Sequence, residues 1–121
     1  MPTILQNHYV LAVPNVESAA AFFTEVLGFT VDARPPGWIF VVKDRCMVML
    51  GECTDDIPPA ELGSHSYFAY LRVDDAQAYR EAIVAKNPTC CGPMKDQPWR
   101  MREFAVTMPD GHRLMIGQWL G

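Results

Sequence analysis

Three histidines and four cysteines are the side chains in this sequence best suited to bind a metal or move a proton. His8 could act as an acid or base near neutral pH, whereas His65 and His112 are expected at exposed strand ends or turns. No carboxylate or nucleophile accompanies His8 at a characteristic spacing, so an ordinary hydrogen-bonded histidine is the alternative interpretation. The cysteines lack C-x-x-C spacing and nearby histidines, so we interpret them as structural thiols; they are Cys46, Cys53, Cys90 and Cys91.

The overall charge argues against polyanionic partners. The chain of 121 residues carries a formal net charge of −4 and has no Lys/Arg cluster, which disfavours nucleic acid and anionic membranes. No apolar run approaches the roughly 20 residues of a membrane span, and residues 1–6 do not resemble a secretory signal. We therefore expect a cytoplasmic protein with one domain over residues 1–121.

The secondary structure around these residues determines their positions. For the first half of the chain, the sequence predicts a strand, a helix and three further strands. His8–Val13 has the β-branched and aromatic residues of a strand, and Asn15 is suited to cap the helix that follows. Further strands are predicted from Phe29, over residues 38–42 and over residues 46–50. One face of the helix is apolar, with Gly28 suited to end it; that face comprises Ala19, Phe22, Phe23, Val26 and Leu27.

A polar, proline-containing stretch over residues 54–64 is predicted to be a linker, after which the pattern repeats. The second half has strands over residues 67–73, 102–108 and 113–116, and a helix capped by Asp74 or Asp75. The first strands and helices align at an offset of 60 residues, and the closing strands at 66. The sequence thus predicts an α+β fold of two tandem βαβββ modules, over about residues 4–53 and 65–119.

Two motifs carry a family resemblance. Residues 16–29, VESAAAFFTEVLGF, are similar to the opening S-x-x-F-Y-x-x-x-L-G-F of the glyoxalase/bleomycin resistance/dioxygenase (vicinal oxygen chelate) superfamily. Residues 98–104 and 108–114, PWRMREF and MPDGHRL, resemble the ending P-W-G-M-R-E-F … D-P-D-G-N-x-L of its bleomycin-resistance-like branch. Arg100 stands where that pattern has glycine, and we expect this to alter the loop. The resemblance implies curled half-barrel sheets, a homodimer, and either enzymatic or antibiotic-sequestering activity.

The resemblance also locates the positions that hold a divalent ion in metal-dependent members. These positions correspond here to His8, Met49, Phe68 and Met115. Zinc, manganese and magnesium sites need several imidazole or carboxylate ligands, and only His8 qualifies. We therefore predict no metal and no other cofactor.

Strand alternation suggests what lies on the concave surface instead. If His8 faces it, the residues at even spacing on the neighbouring strands do so too, and they are aromatic or methionine. Such a surface suits a flat organic ligand, although plain core packing is the alternative for the methionines and a cross-strand ion pair for Arg102–Glu103. Only one of Arg102 and Glu103 can face the surface. The predicted ligand-binding residues are Trp38, Phe40, Met47, Met49, Phe68, Tyr70, Trp99, Arg102, Glu103 and Met115.

Three functions follow as hypotheses. The first is a metal-free homodimeric protein that binds, and thereby sequesters, a drug-like or aromatic molecule. The second is a glyoxalase-type lyase or isomerase, or a dioxygenase-type enzyme, with His8 as the candidate catalytic residue assisted by Tyr70, Arg72 or Glu103. The third is a structural or regulatory domain without a small ligand. The sequence favours the first, because no catalytic pair or metal ligand set is recognisable.

Overall fold

The structure is a computed structural model that describes residues 1–63 and 66–121, so His65, predicted at a strand end, lies outside the described residues. The chain divides into two compact units, Met1–Ile57 and Pro58–Gly121. No helix in the described ranges is long and apolar enough to cross a membrane.

Unit 1 is a four-stranded sheet with one helix. The strand order is β1-β4-β3-β2, in which β1 and β4 are parallel and the other neighbours antiparallel. Its elements are β1 (His8–Val13), α1 (Val16–Glu25), β2 (Thr30–Ala33), β3 (Trp38–Lys43) and β4 (Cys46–Glu52).

Unit 2 repeats this topology after a short 3₁₀ helix at Pro59–Glu61. The order is β5-β8-β7-β6, again with the first pair parallel. Its elements are β5 (Tyr67–Arg72), α2 (Ala76–Lys86), β6 (Lys95–Asp96), β7 (Met101–Thr107) and β8 (Arg113–Trp119). Two βαβββ units with unclosed sheets confirm the predicted α+β class.

The strand register confirms the internal repeat residue by residue. Ala12 is paired with Gly51 in unit 1, and Arg72 with Gly117 in unit 2. Ala12 and Arg72 are 60 residues apart, and the two glycines are 66 apart. These are the two offsets predicted from the sequence.

The helices begin at the predicted caps. The Asn15 side chain accepts a hydrogen bond from the Ser18 amide at 3.0 Å, and Asp75, rather than Asp74, accepts from the Ala78 amide at 2.9 Å. Each bond satisfies an amide that the first helical turn leaves free, which stabilises the helix by about 1 kcal/mol. Gly28 adopts a φ of 81° just beyond α1, a conformation that strains other residues.

Both helices bury an apolar side against one face of their sheet. Phe23 of α1 and Ile83 of α2 are 1% and 0% exposed, and burying each such side chain contributes about 1.5–3 kcal/mol. On the strands, Leu11, Leu50 and Ile116 lie in the same cores. The helix therefore covers one face of each sheet and leaves the other face without a helix.

The sequence missed β6 and misplaced several strand ends. β6 has only two residues, too short for an alternating pattern to show. β7 begins at Met101 rather than Arg102 and ends at Thr107. β8 continues past Ile116 to Trp119, because Trp119 pairs with Met101.

Candidate functional site

In unit 1 the sheet face opposite α1 is apolar. Leu11 and Val13 of β1 are buried, whereas the alternating residues His8, Val10 and Ala12 are exposed, so the latter point away from the core. Val10 is 63% exposed although it lies in mid-strand. This face of the sheet therefore presents hydrocarbon to solvent.

Cross-strand pairing places the predicted residues of unit 1 on this same open face. Val10 pairs with Met49, which pairs with Phe40 on the next strand, and His8 pairs with Met47. Trp38 pairs with Gly51, and its ring covers that glycine so closely that an added Cβ would lie 2.9 Å from it. We call Val10, Trp38, Phe40, Met47 and Met49 the apolar face.

The aromatic pair on the apolar face is preorganised. The rings of Trp38 and Phe40 meet edge to face with their centroids 6.2 Å apart, a geometry that aromatic pairs favour. Phe40, Met47 and Met49 are each half-buried, and Trp38 is 36% exposed. The face is thus accessible but held by packing.

In unit 2 the corresponding face carries a polar pair. Tyr70 is paired with Met115, and its ring lies over Gly117, where a Cβ would overlap the hydroxyl. The Tyr70 hydroxyl donates a 2.5 Å hydrogen bond to Oε2 of Glu103, which is only 7% exposed. We call Tyr70 and Glu103 the Tyr–Glu pair.

The Tyr70 hydroxyl of the Tyr–Glu pair has a strongly raised pKa. Burial, together with the hydrogen bond to Glu103 and the negative charge of that carboxylate, raises the pKa of Tyr70 well above its ordinary value. The phenol therefore stays protonated at neutral pH and acts as the donor to the carboxylate. It is poorly suited to give up that proton in a reaction.

Arg102 lies on the other face of β7 from Glu103. Its guanidinium donates to both carboxylate oxygens of Asp96, at 2.8 and 3.0 Å, and this hydrogen-bonded partner lowers the pKa of Asp96. The structure thus brings Glu103, and not Arg102, onto the face that holds Tyr70 and Met115. Arg102 takes part in an ion pair, the alternative that the sequence left open.

Trp99 and Arg100 lie in the hairpin loop between β6 and β7. The Gln97 amide donates to the Met101 carbonyl at 2.8 Å, which closes the loop. Arg100 has a φ of 69°, in the left-handed region that glycine adopts without strain. Arg100 thus keeps a glycine-type backbone, and Trp99 is 60% exposed beside it.

His8 is the first residue of β1, and Phe68 is the second residue of β5. Phe68 is half-buried at an irregularity of the β5–β8 pairing, and its ring meets that of His112 edge to face at 6.1 Å. His112, predicted to be exposed, is instead partly covered by this contact. His8 is exposed at the start of β1.

The donors at the family's metal positions do not fit a divalent ion. His8 offers an imidazole, Met49 and Met115 offer thioethers, and Phe68 offers no donor atom. Within residues 1–63 and 66–121, no group of three or more His, Cys, Asp or Glu side chains could hold a metal. Burial raises the pKa of Cys91 to about 12, so this thiol is protonated at neutral pH.

Three residues of these faces were not predicted from the sequence. Gly51 and Gly117 make room for the rings of Trp38 and Tyr70, and Trp119, 50% exposed, pairs with Met101 at the end of β8. Alternation from Met115 through Gly117 to Trp119 was the available signal. It was missed because the predicted strand ended at Ile116.

Solved structures of similar fold span the whole chain. TnmS3, an antibiotic-binding protein from Streptomyces sp. CB03234, has 24% identity and a TM-score of 0.78, with 98% of each chain covered. The bleomycin-binding protein of Streptomyces verticillus, complexed with copper(II)-bleomycin, has 21% identity and a TM-score of 0.76 over 100% of this chain and 99% of its own. A lactoylglutathione lyase from Agrobacterium tumefaciens has 17% identity and a TM-score of 0.72, covering 97% and 94%.

These likenesses establish the fold, and the sequence establishes the family. No curated protein sequence matches the chain. The sequence model of the glyoxalase/bleomycin resistance protein/dioxygenase superfamily matches residues 5–116, nearly the full length. With two βαβββ units and the motifs at residues 16–29 and 98–114, the chain belongs to the glyoxalase/bleomycin resistance protein/dioxygenase superfamily.

Proposed function

We propose that this protein binds a drug-like or aromatic organic molecule on its open sheet faces, without a metal ion, and sequesters it. The observation that carries the proposal is the apolar face, on which two aromatic rings and two methionines lie beside an exposed valine. Contiguous apolar surface on a soluble protein commonly marks a binding site. Stacking on aromatic rings suits planar ligands.

The functions of two proteins with similar structures agree with this proposal. One is an antibiotic-binding protein and the other binds bleomycin. The donor set at the family's metal positions, with a single imidazole, supports binding that does not depend on a metal. We accordingly propose that sequestration of a toxic compound, as in antibiotic resistance, is the role of this chain.

An enzyme of the glyoxalase type is the second candidate, and the Tyr–Glu pair is the observation in its favour. A hydrogen-bonded phenol and carboxylate can move a proton in a lyase or isomerase reaction. The raised pKa of Tyr70 argues against this, because the phenol releases its proton too reluctantly near neutral pH. A His8→Ala variant with unchanged conversion of any substrate would remove His8 from such a mechanism.

We also propose that the protein is a cytoplasmic homodimer. Each four-stranded sheet is unclosed and has edge strands, such as β1 and β5. Exposed edges are usually covered in native proteins, and a second copy of the chain would provide cover. Sedimentation equilibrium would show a single species of twice the chain mass if this is right, and one of the chain mass if it is wrong.

Ligand binding is testable by equilibrium dialysis of the EDTA-treated protein against bleomycin and the planar dye acridine. We expect at least one of them to saturate at a fixed stoichiometry and to be recovered unchanged. A Trp38→Ala variant should then bind about tenfold more weakly, since a central aromatic contact is commonly worth 1 kcal/mol or more. Ile57→Ala, which removes an exposed apolar side chain outside the sheets, is the matched control.

The same experiment can refute the proposal. If neither compound saturates the protein, the apolar face has lost its support as a site for this ligand class. If both variants bind as well as the unmodified protein, the ligand lies elsewhere.

A further inference from the structure

Glu103 is a charged side chain in an unusual position. It is the one charged residue among the buried side chains in the described part of the chain, at 7% exposure. Taking a carboxylate out of water is unfavourable unless a cation or several hydrogen bonds compensate. The contacts of Glu103 therefore indicate what the site is built to receive.

Within the described residues, Tyr70 makes the one hydrogen bond to this carboxylate. The neutral phenol donates to Oε2, and no other donor among residues 1–63 and 66–121 is hydrogen-bonded to Glu103. The other carboxylate oxygen of Glu103, Oε1, is not both buried and without a hydrogen bond. Among the described residues, only Asp110 Oδ2 is. Oε1 is therefore not fully enclosed by the described residues.

The nearest cationic side chains do not neutralise Glu103 directly. Arg72 and Lys95 lie in the same cross-strand row, on either side of Gly117 and Glu103. Both are exposed, and neither is within ion-pair distance of the carboxylate in the described structure. The positive charge of Arg72 nevertheless acts on the pair, since it opposes the rise in the pKa of Tyr70.

Apolar and aromatic groups border the same carboxylate. Tyr70 covers Gly117 beside it, and Met115 and Ala105 form the next cross-strand row of the open face. A cation approaching Oε1 would meet the carboxylate with these less polar groups beside it, where a charge-assisted hydrogen bond is stronger than in water. The fixed hydrogen bond from Tyr70 holds the carboxylate in place for that contact.

We propose that Glu103, oriented by Tyr70, is the anchor for a protonated amine on the ligand, so that the protein selects cationic aromatic molecules over neutral or anionic ones. This inference rests on the proposed binding function and assigns the chemical class of its ligand. The amine donates a hydrogen bond to Oε1 and forms the direct ion pair that no cationic side chain of the described residues makes with Glu103.

Three acridines of nearly equal shape test the selection. At pH 7.5 in EDTA, 9-aminoacridine is a cation, acridine is neutral and acridine-9-carboxylate is an anion. Dissociation constants from dye fluorescence should favour 9-aminoacridine over acridine by about tenfold, the usual size of one charge-assisted hydrogen bond. Acridine-9-carboxylate should bind most weakly.

Glu103→Gln removes the charge while keeping a side chain that can accept from Tyr70. It should reduce the preference for 9-aminoacridine to about twofold or less and leave acridine binding within about twofold. Glu81→Gln on α2, exposed and on the helix side of the sheet, removes the same net charge as the control. Tyr70→Phe should weaken the preference partially, and circular dichroism at each step shows whether the variants are folded.

The outcomes separate the two proposals. If none of the three dyes binds, the binding function itself fails. If all three bind equally, or if Glu103→Gln weakens acridine as much as 9-aminoacridine, the binding function stands and the anchor is refuted. Preference for the carboxylate would also overturn it and would assign recognition to Arg72 and Lys95. An unfolded Glu103→Gln variant leaves the dye ranking in the unmodified protein, together with Tyr70→Phe, as the deciding measurement.

Discussion

The two units share a topology and a register but differ in what their open faces present. Each closing strand, β4 or β8, carries a glycine that pairs with a residue on its antiparallel neighbour. In unit 1 Trp38 pairs with Gly51, and in unit 2 Glu103 pairs with Gly117. In unit 1 the ring that covers the glycine comes from that same position, whereas in unit 2 it comes from Tyr70 on the first strand. One face is therefore hydrocarbon, and the other holds a buried carboxylate fixed by a phenol.

This difference shows that two units of one topology can have open faces of different chemistry. The backbone of each unit is set by the same caps, core positions and pairings, so the open faces are free to vary. An apolar surface provides most of the affinity for an organic ligand, and a few oriented polar groups provide the selectivity. The open face of unit 1 is of the first kind, and the open face of unit 2 carries polar groups of the second kind.

The largest effect is expected from filling the glycine positions. Gly117→Ala would overlap the Tyr70 hydroxyl and displace it from Glu103, so overpacking and the lost hydrogen bond together should lower the free energy of unfolding by about 3 kcal/mol. Gly51→Ala meets the Trp38 ring at 2.9 Å, where a small shift of an exposed ring relieves the contact. We expect less than half the loss there, measured by urea denaturation. Equal losses of unfolding free energy in the two variants would contradict the claim that the Tyr70 ring is held more tightly over Gly117 than the Trp38 ring is over Gly51.

Removing the Tyr70 hydroxyl should have the next largest effect. Tyr70→Phe leaves Glu103 buried without its donor, which should cost about 1.5–3 kcal/mol of unfolding free energy. Tyr67→Phe, at the exposed end of the same strand, should change it by less than about 0.5 kcal/mol. Urea denaturation midpoints of the two variants measure this difference. A Tyr70→Phe variant as stable as Tyr67→Phe would mean that the Tyr70–Glu103 hydrogen bond does not stabilise the fold.

A smaller effect, this time stabilising, is expected from replacing a turn residue that has a positive φ. Arg100→Gly should stabilise unit 2 by about 0.5–1 kcal/mol, because glycine adopts its φ of 69° without strain. Asp44, with a φ of 52° in the β3–β4 hairpin of unit 1, is of a type that tolerates this region better. Asp44→Gly should therefore gain little or nothing. A loss of stability in Arg100→Gly would show that the arginine side chain has a role in the loop.

The smallest expected effect is the acid dependence of the Asp96–Arg102 ion pair. Because the pKa of Asp96 is lowered in the folded state, the pair stabilises the fold above the ordinary carboxyl pKa of 3.8 and this contribution is lost as the pH falls below it. Asp96→Asn should lower the urea midpoint slightly at pH 6 and not at pH 2.5. Glu17→Gln, which breaks the exposed single contact with Arg34 in unit 1, should show a smaller difference between the two pH values.

Much of the fold could be predicted because local chemistry determines it. The side-chain caps at Asn15 and Asp75 and the apolar side of α1 are visible in the sequence, and the registers at Gly51 and Gly117 follow from the repeat. β6 could not be predicted, because two residues have no period. The strand ends shifted for the same kind of reason, since pairing across the sheet determines them.

The site was predictable only in part. Alternation limited Arg102 and Glu103 to opposite faces, and the buried Phe104 next to Glu103 was a signal for which one faces outward. The Tyr70–Glu103 bond joins residues 33 apart on strands that are not neighbours, with Gly117 between them. Such a contact depends on the sheet order and on the space above the glycine, and no local pattern encodes either.

The most direct test of the central claim is a calorimetric titration of the metal-stripped protein with 9-aminoacridine, repeated in the presence of Zn²⁺, Mn²⁺, Ni²⁺ and Fe²⁺. We predict saturable binding with the same affinity in every case and recovery of the dye unchanged. Binding that appears only when one of these ions is added, or chemical conversion of the dye in its presence, would contradict metal-independent binding and favour an enzyme of the glyoxalase or dioxygenase type.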